Sequence, residues 1–95
     1  MSLVKDLYWF KIVIAPSLKN YEIKYKFFEK GDFGSLNQVE FNSKKMGGEI
    51  DFWSEGWLGI HLVDYIKGNE LLNVFLKPEQ DLEKDAAFEK MLCLI

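Results

Sequence analysis

Residues 49–65 read EIDFWSEGWLGIHLVDY, and two apolar-rich segments there flank the tripeptide Ser54-Glu55-Gly56. A three-residue loop that ends in glycine is typical of a β-hairpin, because glycine accepts the left-handed conformation that closes the turn. This loop pairs residue 52 with 58 and residue 50 with 60. A two-residue loop would scatter the apolar side chains over both faces, because a slip of one residue turns every side chain over. The sequence therefore predicts a three-residue turn and an apolar hairpin face of Ile50, Phe52, Leu58, Ile60 and Leu62.

The opposite face of this hairpin combines aromatic and acidic side chains. The predicted register places Trp53 opposite Trp57, and such opposite pairs contribute about 0.2–1 kcal/mol each. The same register sets residue 51 opposite 59 and residue 49 opposite 61. Two interpretations stay open: a second layer such as the N-terminal segment covers the indoles, or the face is a protein interface with aromatic anchors among acids. The face consists of Glu49, Asp51, Trp53, Trp57, Gly59, His61, Val63 and Tyr65.

Further strands and one helix follow from side-chain alternation and turn residues. Residues 21–29 alternate between apolar and polar side chains, which predicts a strand buried on one face. Residues 37–42 and 70–76 predict two more strands, the second stopped by Pro78. Residues 79–94 predict a helix with acids in its first turns and an apolar stripe at Ala87, Phe88, Met91 and Ile95. The sequence thus predicts a single α+β domain over residues 1–95, an antiparallel meander of about five strands with a C-terminal helix packed on one face.

The N-terminal residues 7–14 fit two structures. Their aromatic and β-branched side chains favour a strand, which we predict. The alternative is a helix, because Leu3, Leu7, Phe10 and Ile14 are spaced to share one helical face. No apolar run reaches the roughly 18 residues of a membrane-spanning helix, and no small-residue cleavage pattern indicates a signal peptide.

The residue inventory argues against several classes of function. The chain has one cysteine, Cys93, and one histidine, His61, too few for a disulfide or a zinc site of the usual four ligands. Its basic residues are all lysines and its net charge is −3, which argues against a nucleic-acid binder, since arginine is the residue that reads guanine and clamps phosphate. Walker, dinucleotide and nucleophile-elbow patterns are missing from the sequence. We therefore expect no metal, no cofactor and no nucleic-acid partner.

Acid–base catalysis is also not expected. His61 lies opposite Glu49 in the predicted hairpin, but the sequence brings no nucleophile and no third orienting group to them. The carboxyl groups of residues 51, 55 and 64 do not converge on a metal site or a glycosidase site either. Residue 64 points to the apolar face by its place in the alternation, and residue 55 lies in the turn. The sequence predicts a protein that is not an enzyme.

Charge divides along the chain. Residues 1–47 carry a balance of +3 and residues 48–95 a balance of −6. Part of this acidity belongs to the solvated helix and the turns. The remainder indicates an acidic face that attracts a basic partner.

Glycines and aromatics recur in short runs: GDFGSL at 31–36, VEF at 39–41, GGEIDFW at 47–53, GWLGI at 56–60, DY at 64–65 and LNV at 72–74. This pattern resembles that of small bacterial immunity proteins, which are encoded beside polymorphic or contact-dependent toxins. The resemblance implies a cytoplasmic, non-enzymatic inhibitor that binds one toxin domain tightly. It assigns no interface residues, because such families are diverse in fold and in mode of inhibition.

Three hypotheses for the function follow. The first is an inhibitor, monomeric or weakly dimeric, that occludes a basic toxin domain. The second is a structural or assembly subunit that self-associates through the same face or through a sheet edge. The third is a small enzyme or ligand carrier, which needs a closed pocket with converging polar groups that the sequence does not indicate. The predicted partner-binding residues are Glu49, Asp51, Trp53, Glu55, Trp57, His61 and Tyr65.

Overall fold

The computed structural model describes residues 4–95, and five antiparallel strands follow one another across its sheet in chain order. A helix, Asp81–Leu94, ends the chain. The predicted α+β fold, a five-stranded meander with a C-terminal helix, is confirmed. No helix within residues 4–95 has the length and apolar character needed to cross a membrane. The strands are β1 (Glu22–Gly31), β2 (Gly34–Asn42), β3 (Met46–Trp53), β4 (Leu58–Asp64) and β5 (Asn69–Leu76).

The β3–β4 hairpin has the predicted register. Phe52 pairs with Leu58, and the pairs 50–60, 51–59 and 49–61 follow along the ladder. The Gly56 N–H donates to the Trp53 carbonyl at 2.9 Å, and the Trp53 N–H donates to the Trp57 carbonyl at 3.1 Å. Gly56 has φ +95°, the left-handed conformation that glycine adopts without a steric penalty. The three-residue turn is therefore confirmed.

The N-terminal segment is helical, so the strand predicted for residues 7–14 is wrong. It runs through a short α-helix (Leu7–Trp9), a π-helical turn (Phe10–Ile14) and a 3₁₀ turn (Ala15–Leu18). The Asp6 carboxylate caps its start by accepting the Trp9 N–H at 2.9 Å. Helical spacing buries Phe10, Ile14 and Leu18 together, and this tertiary burial outweighs the local β propensity. Leu3, which belongs to the helical alternative, lies outside the described residues.

Both helical segments pack on the same face of the sheet. The Phe10 ring lies 6.2 Å from that of Phe52, and Trp9 meets Phe88 of the C-terminal helix edge-on at 4.7 Å. The predicted apolar hairpin face and the helix stripe are buried here, with Ile95 partly buried. Cover is incomplete at the sheet edge, where Phe27 of β1 stays 62% exposed. The core comprises Phe10, Ile14, Leu18, Val39, Phe41, Ile50, Phe52, Leu58, Ile60, Leu62, Leu72, Ala87, Phe88 and Met91.

The opposite side of the sheet, called the outer face below, carries no second layer of described residues. Alternation along the strands places on it residues 38 and 40 of β2, residues 49, 51 and 53 of β3, residues 59 and 61 of β4, and residues 73 and 75 of β5. The described residues therefore leave the outer face without a covering layer.

A buried lysine ties the C-terminal helix to the hairpin turn. Lys84 is 8% exposed, and its ammonium donates to the Gly56 carbonyl at 2.8 Å and to the Pro78 carbonyl at 3.1 Å. Replacement Lys84→Met keeps the apolar stem and leaves both carbonyls without this donor, so we expect the free energy of unfolding to fall by about 1–3 kcal/mol. Urea denaturation measures the loss. Lys90 is exposed on the same helix, so Lys90→Met should change stability by no more than about 0.5 kcal/mol. Equal losses in the two variants would contradict a stabilising role for the Lys84 hydrogen bonds.

Candidate protein-binding face

Four aromatic side chains form a cluster at one end of the outer face. Trp57 stacks on Phe33 and on Phe75, at ring-centroid distances of 4.2 Å and 5.0 Å, and these two phenylalanine rings also contact each other at 5.5 Å. Trp53 meets the same two phenylalanines edge-on, at 5.6 Å and 5.4 Å. The two indoles are backbone neighbours across the turn, as predicted, but their ring contacts run through the phenylalanines. Stacked and edge-to-face geometries are the favourable ones for aromatic pairs, so the cluster is a well-packed unit.

Two adjacent turns hold this cluster in place. The Ser54 N–H donates to the Ser35 carbonyl at 2.8 Å, and the Glu55 N–H donates to the Phe33 carbonyl at 3.2 Å. In return, the Ser35 N–H donates to the Ser54 hydroxyl at 2.9 Å. The β1–β2 turn is thus fastened to the β3–β4 turn, which carries Phe33 onto the outer face.

The N-terminal segment does not cover the tryptophans. It packs on the core face through Phe10, whereas Trp53 and Trp57 lie half-buried on the outer face. The interpretation in which that segment shields the indoles is therefore wrong. Their partial cover comes from Phe33 and from Phe75, which itself is 50% exposed.

A pair of carboxylates lies beside the cluster on β3. The Gln38 side-chain amide bridges them, donating to Glu49 at 3.1 Å and to Asp51 at 2.9 Å. Neighbouring acids on this face have partners, since the Lys26 ammonium forms an ion pair with Glu40 at 2.8 Å and the His61 ring lies within hydrogen-bond distance of Glu70 at 2.9 Å. Within residues 4–95, neither Glu49 nor Asp51 forms an ion pair. Their negative charge is available to a ligand.

These two carboxyls give stability a distinctive pH dependence. Burial raises the pKa of both Glu49 and Asp51, and the negative charges of Asp51 and Glu40 raise that of Glu49 further. The folded protein therefore holds protons that the unfolded chain has already released. Stability from this pair is greatest below the unfolded pKa values near 4, and it falls as pH rises through them towards the raised values.

Replacing both carboxyl groups by amides should remove this fall in stability at higher pH. We expect the double variant Glu49→Gln/Asp51→Asn to gain stability relative to the native protein as pH rises above about 4 and to level off once the native pair is ionised. Urea denaturation at a series of pH values measures the difference between the two proteins. A difference that stays constant over the whole series would contradict the raised pKa values.

The other predicted partner-binding residues occupy separate places. Glu55 is exposed in the hairpin turn. His61 lies opposite Glu49, as predicted, and its ring contacts Glu70. Tyr65 follows the end of β4, where its hydroxyl donates to the Asn42 side chain. The Tyr65 hydroxyl lies beside Gly47 of β3. Trp53 of the aromatic cluster is six positions further along the same strand, which is about 20 Å at 3.3 Å per residue. The structure therefore joins the indoles and the two carboxylates but leaves Tyr65 at the far end of the face.

Three residues of the face were missed from the sequence. Phe75 pairs with Gly59 and therefore lies on the outer face, a position that follows only once the β4–β5 register is known. Gln38 belongs to the strand predicted over residues 37–42, but its bridge between two carboxylates depends on the pairing of β2 with β3. Phe33 lies in a turn, where alternation predicts no direction.

The outer face forms open grooves whose walls are acidic and aromatic. One groove of about 240 Å³ includes Asp51, Gly59 and Phe75, and a second of about 280 Å³ includes Glu49 and Tyr65. Residues 4–95 contain no group of three or more His, Cys, Asp or Glu side chains placed to hold a metal ion. Aromatic surface beside unpaired carboxylates suits the docking of a basic protein surface. The chain matches no protein-family model, no curated protein and no solved structure.

Proposed function

We propose that this protein is a non-enzymatic protein-binding inhibitor, an immunity protein that neutralises a cognate bacterial toxin by occluding its active or binding surface. The observation that carries the proposal is the half-buried aromatic cluster directly beside two carboxylates that form no ion pair within residues 4–95. Aromatic side chains supply much of the binding energy at the centre of protein interfaces. Unpaired charge next to them selects a partner of opposite sign.

The proposed partner is a basic toxin domain. Trp53 and Trp57 would anchor it at the cluster, and Tyr65 would anchor it at the far end of the face. Glu49, Asp51 and Glu55 would meet its lysines and arginines, helped by the −6 balance of residues 48–95. In this proposal the complex forms in the bacterial cytoplasm and uses no cofactor, metal or nucleic acid.

The test begins with the gene that lies next to the gene for this protein. If it encodes a large toxin, its toxic domain is co-expressed with this protein and then mixed with it in vitro. We expect cells to survive and the toxin's activity to be lost on complex formation. An adjacent toxin domain that neither binds nor is inhibited would overturn the proposal.

A pair of charge-reversed variants tests whether the partner binds the outer face. Asp51→Lys is expected to weaken binding, whereas Glu83→Lys makes the same charge change on the exposed side of the C-terminal helix and should leave binding nearly intact. Equal losses in the two variants would show that only net charge matters and would remove the outer face from the proposal.

A second candidate function, a self-associating assembly subunit, is favoured by one feature of β1. This ten-residue strand forms an edge of the sheet, and Tyr25 and Phe27 on it are 45% and 62% exposed. Free strand edges promote pairing between chains, although Lys24 and Lys26 on this edge oppose it. Sedimentation of the isolated protein decides: a stable oligomer supports the subunit, and a monomer or weak dimer supports the inhibitor.

A further inference from the structure

We propose that the groove between the carboxylates of β3 and Phe75 of β5 receives an arginine side chain of the partner. The inference rests on the proposed function and names the side chain that its binding face recognises. The groove has a volume of about 240 Å³. Its lining includes Glu49, Asp51, Gly59, His61, Asn73 and Phe75.

The groove follows from the register of three neighbouring strands. Asp51, Gly59 and Phe75 lie in one row across β3, β4 and β5. Neighbouring strands lie about 4.8 Å apart, so about 10 Å of sheet separates the backbone of Asp51 from that of Phe75. The residue between them has no side chain. The carboxylates of β3 therefore face Phe75 of β5 across Gly59, which adds no side chain to the groove and is itself buried.

The neighbouring rows bound the groove along the strands. On one side Trp53 closes it, since its ring meets Phe75 edge-on at 5.4 Å. On the other side His61 pairs with Asn73, and the His61 ring is engaged by Glu70 at 2.9 Å. The groove is thus open mainly outward, in the direction from which a partner approaches.

Gly59 at the floor is not required by the fold. Its φ lies outside the left-handed region. A Cβ built on it would lie 3.4 Å from an Asp51 carboxylate oxygen and 3.6 Å from the Trp53 ring, both ordinary contacts. Gly48 of β3 is different, because a Cβ there would come within 2.7 Å of the Phe41 ring. Glycine inside a strand weakens it and is often found where other groups approach the backbone closely. At Gly59 the nearest such groups are Asp51 and the Trp53 ring, and the missing Cβ leaves the groove deeper by one methyl group.

The walls match a guanidinium group in charge, number of acceptors and shape. Glu49 and Asp51 have no cation, and each accepts only one bond from the shared Gln38 amide within residues 4–95. Arginine presents a planar fork of donors that fits carboxylates, and its flat face stacks on aromatic rings such as the half-exposed Phe75. Lysine offers a point charge without the fork or the plane, so arginine fits better.

The test uses N-acetyl-arginine amide as the probe and NMR of the ¹⁵N-labelled protein as the readout. We expect saturable shifts of backbone amides centred on residues 51, 59 and 75. N-acetyl-citrulline amide has the same shape without the charge and should cause none. Equal shifts with the two probes, or shifts centred elsewhere, would overturn the inference.

Three variants sharpen the test. Asp51→Asn removes a charged acceptor and should weaken arginine binding by about tenfold or more. Gly59→Ala fills the floor without a clash, so it should weaken binding while the spectrum of the free protein keeps its dispersion. Glu83→Gln, on the exposed side of the C-terminal helix, should leave the affinity unchanged. Arginine binding that survives Gly59→Ala, or that falls equally in Glu83→Gln, would overturn the inference.

This outcome is separable from that of the proposed function. If the toxin is neutralised but the arginine probe does not bind, the inhibitor stands and the arginine groove fails. If the probe binds as expected but the adjacent toxin is not neutralised, the groove stands and its partner is another arginine-bearing protein.

Discussion

Truncation of Phe10 to alanine is expected to lower the free energy of unfolding by about 3–5 kcal/mol. Phe10 is fully buried, and its ring lies 6.2 Å from Phe52 and 6.4 Å from Tyr25. It fastens the N-terminal helical segment to the sheet, so the lost apolar contact and the cavity left behind add together. Domains of this size have about 5–15 kcal/mol of stability in total, so this loss would bring the protein close to unfolding. Urea denaturation at low temperature measures it.

A neighbouring aromatic residue supplies the matched control. Tyr8 belongs to the same segment but is 73% exposed, so Tyr8→Ala should cost no more than about 0.5 kcal/mol. Equal losses in the two variants would mean that the segment is not docked on the sheet through Phe10, which contradicts the structure. The comparison separates burial from any effect of removing an aromatic residue from the segment.

The hairpin was predictable because its evidence is local. Side chains alternate on both sides of Ser54-Glu55-Gly56, and only one loop length gathers the apolar ones on one face. That choice also sets Asp51 opposite Gly59 and turns Trp53 to the outer face. Period-two alternation and turn chemistry are short-range signals, and they sufficed for the sheet.

The N-terminal segment was not predictable in the same way. Its β-branched and aromatic residues favour a strand, and residues such as Tyr8 and Ile12 stay exposed in the helical structure. The helical structure is more stable because Phe10, Ile14 and Leu18 pack against the apolar face of the sheet, whose strands lie later in the chain. Local propensity cannot include that long-range burial.

The binding face was predictable in its position but not in its contacts. Register placed the indoles and carboxylates on one side of the sheet. The stacking of Trp57 on Phe33 and Phe75 depends on the docking of one turn against another, which involves side-chain hydrogen bonds such as that between Ser35 and Ser54. Such contacts between turns have no periodic signal in the sequence.

Replacement of Trp57 by alanine should weaken binding of the cognate toxin domain by about 30-fold or more, a loss of about 2 kcal/mol or more. Trp57 stacks on two rings of the aromatic cluster, Phe33 at 4.2 Å and Phe75 at 5.0 Å, and its side chain is half-buried in the free protein. A ring held in this way loses little conformational entropy on binding, so most of its contact area contributes to affinity. Isothermal titration calorimetry with the purified toxin domain measures the change.

Two companion variants separate docking from folding at Trp57. Trp57→Phe keeps an aromatic ring in the stack and should recover part of the affinity, whereas Tyr8→Ala removes an exposed aromatic side chain from the helical side of the molecule and should leave binding unchanged. Circular dichroism and thermal melting show whether each variant retains its fold. Because Lys84 and the β1–β2 turn hold the hairpin turn independently of the indole, Trp57→Ala should stay folded. A folded Trp57→Ala protein that binds the toxin with native affinity would remove the aromatic cluster from the interface, and an equal loss in Tyr8→Ala would move the interface away from the outer face.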